Sequence, residues 1–139
     1  MQFAQFIRSQ SLGLIAAIMV SSPALAESYH CKFTEQGRSN YIPQELIADY
    51  DASTGAVTVN DTMIQYYVGK PIQGVMKSHN STRALMTWTL PKVKNSSGQY
   101  TAGFTFNLNI LRASGEASIT AKPQGYSNSF RGQGSCTIK

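Results

Sequence analysis

Apolar and polar residues alternate with a period of two along most of the chain. Between Tyr100 and Ile110, the residues Tyr100, Ala102, Phe104, Phe106, Leu108 and Ile110 fall on one side, with Thr101, Gly103, Thr105, Asn107 and Asn109 on the other. That repeat is what an extended strand with one buried face requires. Ala84, Met86, Trp88 and Leu90 continue the theme until Pro91, which has no N–H to give to a ladder. Ala117, Ile119 and Ala121 do so again after a turn at Ala113-Ser114-Gly115. Leu46 to Asp51 and Ala56 to Asn60 flank Ala52-Ser53-Thr54-Gly55, a loop with a glycine where positive φ is called for. Met63 to Val68 and Gln73 to Lys77 read as two further strands separated by Gly69-Lys70-Pro71. At the two ends, Tyr29, Cys31 and Phe33 share a face, and so do Phe130, Gly132, Gly134, Cys136 and Ile138.

Seven to nine short strands with no crossover helix predict an all-β fold, a small antiparallel β-sandwich or β-barrel. Strand order is not encoded in the alternation, so the choice between the two stays open. A membrane-spanning barrel would need strands of about 9 to 11 residues with aromatic girdles on a lipid-facing side. Most segments here are shorter, and the faces opposite the apolar ones carry Thr, Asn and Lys.

The start of the chain departs from this pattern. Arg8 is followed by an apolar run from Leu12 to Val20 and then Ser-Ser-Pro-Ala-Leu-Ala, the three parts of a secretory signal with cleavage between Ala26 and Glu27. The run is about half the roughly 20 residues needed to cross a bilayer. Residues 1–26 are therefore expected to be a cleaved leader and residues 27–139 a single β domain with no transmembrane segment, periplasmic or secreted. An exported chain with two cysteines is expected to hold one disulfide, Cys31 to Cys136, joining the first and last strands. Parity puts both sulfurs on the apolar side of their strands.

Loss of Arg8 with the leader leaves 11 basic against 7 acidic residues, net +4. The charges are scattered singly, without the basic stripe that nucleic-acid binding requires. An anionic envelope component, or a protein, is the partner class that this charge suits.

Candidate catalytic groups are sparse. His30 adjoins Cys31, and His79 stands in the polar stretch His79-Asn80-Ser81-Thr82, where a solvated loop histidine is the expected reading. No nucleophile elbow accompanies it. Asp49 and Asp51 share a strand face beside a turn but lack the alternating oxygens and closing Glu of a calcium loop. No metal or cofactor motif is present, and the expectation is a protein without catalytic residues. Among the aromatic residues, Tyr126, beside the loop Lys122-Pro123-Gln124-Gly125, is the candidate for ligand or partner contact. Trp88, the only tryptophan, belongs to the core.

Three short segments, Tyr29-His30-Cys31, Ser97-Gly98-Gln99-Tyr100 and Gly115-Glu116-Ala117, resemble pieces of the small periplasmic inhibitors of c-type lysozyme. They cover about a quarter of the mature chain. One residue is missing before Tyr100, and Ser114 stands where that family tends to have Lys. The resemblance implies a β fold and an inhibitor that would use Ser97 and Tyr100. Against it, a +4 protein meets a basic lysozyme with unfavourable long-range charge. The functional expectation is a non-enzymatic binding or interaction module of the envelope, with the inhibitor and a hydrolase built on His79 as alternatives.

Overall fold

A computed structural model describes residues 17–19, 26–37, 40–92, 97–100 and 102–139. The expected leader lies outside the described residues, apart from residues 17–19 and Ala26. Eight strands, each antiparallel to the next, close into a barrel in simple sequence order. They are β1 (Ala26–Gln36), β2 (Glu45–Asp51), β3 (Ala56–Asp61), β4 (Ile72–His79), β5 (Arg83–Leu90), β6 (Phe104–Leu111), β7 (Glu116–Pro123) and β8 (Phe130–Ile138). The barrel alternative of the sequence reading is thus the one realised, because β1 pairs with β8 as well as with β2 and leaves no sheet edge.

The alternation seen in the sequence becomes the inside and outside of this wall. Met86, Trp88, Phe106, Leu108, Ile110, Ile119 and Val59 fill the interior. Trp88 and Phe106 lie opposite each other in register and stack with centroids 5.5 Å apart. The outward positions of β6 and β7 carry Thr105, Asn107 and Asn109 and Ser118, Thr120 and Lys122. An apolar lumen inside a polar wall is the reverse of a membrane-spanning barrel. No helix among the described residues is long and apolar enough to cross a membrane.

The barrel closes at the β1–β8 seam. Cys31 and Cys136 are register partners with Cα atoms 4.0 Å apart, and their sulfurs are bonded. Gly134, opposite Phe33, lets the two backbones approach; a Cβ there would lie 1.8 Å from the Lys32 carbonyl oxygen.

Two expected strands differ. Met63 to Val68 is not a strand: Thr62–Tyr67 forms the helix α1, capped by Asp61. The Asp61 carboxylate accepts the Ile64 N–H at 2.7 Å, satisfying one of the donors that a helix start leaves open. The apolar residues Met63, Ile64, Tyr67 and Val68 recur at helical spacing and pack on the core together. The strand expected from Tyr100 instead begins at Phe104, and Tyr100 is 71% exposed. Its partner β5 ends at Leu90, opposite Phe104, immediately before Pro91, so the ladder has nothing to extend against.

Candidate ligand site

The two ends of the barrel are built differently. At one end the connections are tight turns over residues 52–55, 80–82 and 112–115; at the other they are long, spanning 37–44, 62–71, 91–103 and 124–129. The long connections enclose a cup of about 350 Å³. Its barrel wall is Leu90, Phe104 and Phe130 from the rims of β5, β6 and β8. Met63 and Tyr67 of α1 lean over one side, and Tyr41 of the β1–β2 connection covers another. Ala102, Pro123, Tyr126 and Asn128 complete it.

Tyr41 bridges the wall, its ring centroid 4.8 Å from Phe104 and 4.9 Å from Phe130. Beneath Phe104 sits the Phe106–Trp88 stack, so the cup has a packed floor and no tunnel leads from it through the lumen. None of the described lining residues is charged, and the polar groups among them are the Asn128 amide and the hydroxyls of Tyr41, Tyr67 and Tyr126. Tyr126 is 63% exposed and Asn128 is exposed as well, placing them at the rim.

Asp61 is the one buried charged or polar residue among the described residues and holds α1 over the cup. Burial raises its pKa, opposed by the hydrogen bonds from the helix backbone.

The opposite end is stoppered by a polar cluster. Glu27 Oε2 accepts from the Tyr29 hydroxyl and lies 3.0 Å from His79 Nε2, while Oε1 accepts from Arg112 Nη2 at 2.5 Å. Arg112 Nη1 donates to the Asn80 carbonyl at 2.8 Å, and the Tyr50 ring packs against His79 at 4.8 Å. Burial works to raise the Glu27 pKa, and the hydrogen bonds from Tyr29 and His79 with the charge of Arg112 outweigh it, so the carboxyl is held below its usual range. Tyr29 shifts upward, through burial and the neighbouring carboxylate.

His79 is therefore not the solvated loop residue that its sequence context implied. It is the last residue of β4, three-quarters buried, with Glu27 as partner. A register shift between Met76 and Ser78 turns it inward, opposite Ala84. Its Nε2 meets the Glu27 carboxylate and not a serine or cysteine, and among the described residues no three His, Cys, Asp or Glu side chains group to hold a metal ion.

Of the residues singled out from sequence, Cys31 and Cys136 pair, and Tyr126 lines the cup. Ser97 and Tyr100 lie exposed on the β5–β6 connection, with Gly98 between them at φ 85°. Ala26 and Glu27 open β1. The sequence reading missed Tyr41, Met63 and Tyr67, which reach the cup from connections far apart in the chain, and the Glu27–Arg112 pair, separated by 85 positions.

Comparison with protein families, curated proteins and solved structures returned no match to this chain.

Proposed function

We propose that this protein is an exported, non-enzymatic binding module that holds a small, mainly apolar molecule in the cup at the open end of its barrel. The observation that carries this reading is a concavity of about 350 Å³ whose described lining is apolar and uncharged and draws on all four long connections. That volume lies within the range of small-molecule sites, and a largely apolar lining with a few polar groups is their usual composition. The disulfide suits an oxidising compartment, which together with the leader supports a periplasmic or secreted location. Cleavage after Ala26 would leave Glu27 as the first residue, with its carboxylate retained in the stopper.

The test is binding of the neutral apolar fluorophore N-phenyl-1-naphthylamine to the purified protein, compared with Ala102→Phe, which fills the cup without touching the lower core. Saturable binding lost in Ala102→Phe supports the reading; equal binding by both proteins, or none by either, contradicts it.

A second reading, the inhibitor of a cell-wall hydrolase, is favoured by the exposure of Ser97 and Tyr100 on one connection. It predicts slowed lysozyme action on cell walls, relieved by Tyr100→Ala.

A further inference from the structure

Resting on the reading of the cup as a ligand site, we infer that its ligand is an uncharged, flat, ring-bearing molecule of bicyclic or tricyclic size with a hydroxyl or carbonyl at one edge. Three features of the cup select this class over the other apolar ligands.

The first is depth. The Phe106–Trp88 stack closes the floor, and below it Met86, Leu108 and Ile110 are fully buried, so the lumen is filled with side chains down to the stopper. A long acyl chain has no channel to enter, whereas a compact ring system needs none.

The second is the wall. Tyr41, Phe104 and Phe130 form a continuous aromatic surface, with centroid spacings of 4.8 and 4.9 Å, and Tyr67 and Tyr126 add rings from other sides. Aromatic faces and edges favour a planar π-system in offset or edge-to-face contact, an advantage that a saturated chain of equal area does not share.

The third is charge. Among the described residues no lysine, arginine, aspartate or glutamate lines the cup, so an ionic group taken inside would lose its hydration with no counter-charge among them. Rings also attract cations, but no carboxylate stands among the described lining residues, and the chain without its leader is positive at +4. Asn128 and the Tyr126 hydroxyl stand at the rim, where they can meet a polar edge of the ligand directed outward. The Asn128 amide can donate or accept, which suits either a hydroxyl or a carbonyl.

Isothermal titration of the purified protein at neutral pH with 2-naphthol, 1-decanol, naphthalene-2-sulfonate and tetramethylammonium tests the inference. The expected result is binding of 2-naphthol at least about tenfold tighter than any of the other three, abolished in Ala102→Phe. Asn128→Ala with Tyr126→Phe should weaken 2-naphthol about tenfold and leave unsubstituted naphthalene unchanged, which separates edge recognition from general apolar capture. Decanol binding as tightly as 2-naphthol, or sulfonate or tetramethylammonium doing so, overturns the ligand class while leaving the cup a binding site. Failure of all four, with naphthalene silent too, overturns the binding reading itself.

Discussion

His79 and Glu27, 52 positions apart in sequence, meet across the closed end of the barrel with Nε2 and Oε2 3.0 Å apart. The pairing depends on the irregularity in β4. Ile72, Gly74 and Met76 face inward by parity, and strict alternation would continue with Ser78 inward and His79 outward. The shift between Met76 and Ser78 sets His79 opposite Ala84, whose side chain is buried, and brings the imidazole onto the Glu27 carboxylate.

Glu27 gives stability a definite pH dependence. Its folded-state pKa lies below the ordinary 4.5, so its contribution is present above that value and is lost as pH falls through the depressed pKa. Glu27→Gln should lower Tm at neutral pH and flatten the loss of Tm on acidification below about pH 4.5, as followed by circular dichroism. His79→Ala should also lower Tm yet leave ligand binding unchanged, because the cluster lies at the end away from the cup.

The seam disulfide should dominate stability. Cys31 and Cys136 are separated by 105 positions, and closing a loop of that size is worth about 4 to 5 kcal/mol in the chain-entropy model. That is a large fraction of the roughly 5–15 kcal/mol typical of a domain. The double variant Cys31→Ala, Cys136→Ala should lose about this amount in urea unfolding, and a loss below about 1 kcal/mol would show that the ladder alone holds the seam.

Asp61 makes the opposite pH prediction. Its folded pKa is raised above 3.8, so ionisation costs the folded state, and the associated stability is greatest when the group is protonated and declines as pH rises through the carboxylate range. Asp61→Asn keeps a capping oxygen and removes the buried charge, so it should match or exceed the parent Tm at pH 7. Asp61→Ala removes the cap and should cost about 1 kcal/mol. An Asn variant as unstable as the Ala variant would show that the charge itself is required.

Gly134 is a close-approach position rather than a turn. Alanine there would drive Cβ into the Lys32 carbonyl, 1.8 Å away, and force the paired backbones apart. Gly134→Ala should cost about 1–3 kcal/mol by urea unfolding, the range of an overpacked site. A neutral effect would mean that the seam yields easily.

Most of the barrel wall was legible in the sequence because its determinant is local. Alternation at Ala84–Leu90, Phe104–Ile110 and Ala117–Ala121 is read from neighbouring residues, and the parity of Cys31 and Cys136 places both sulfurs inward, where their expected bond forms. The helix was not, since Met63-Ile64-Gln65-Tyr66-Tyr67 is rich in strand formers and the deciding feature was the Asp61 cap. His79 was hidden by a one-residue irregularity that alternation cannot reveal. Of the cup, only Tyr126 was visible, through its setting among turn residues; the remaining lining comes together only when four connections converge on one barrel end. Closure depends on β1 meeting β8, which the expected Cys31–Cys136 bond pointed to but alternation alone does not order.

On the proposed reading, the open end of the barrel, and only that end, receives a small apolar ligand. Two-dimensional ¹H–¹⁵N NMR during titration with 2-naphthol tests it most directly. Saturable shifts are expected at Tyr41, Met63, Ala102, Phe104 and Tyr126, with a smaller response of the Trp88 indole one tier below and silence at Glu27, His79 and Arg112. Shifts centred on the Glu27–His79–Arg112 end or on the outer wall, or none at saturating 2-naphthol, would contradict it.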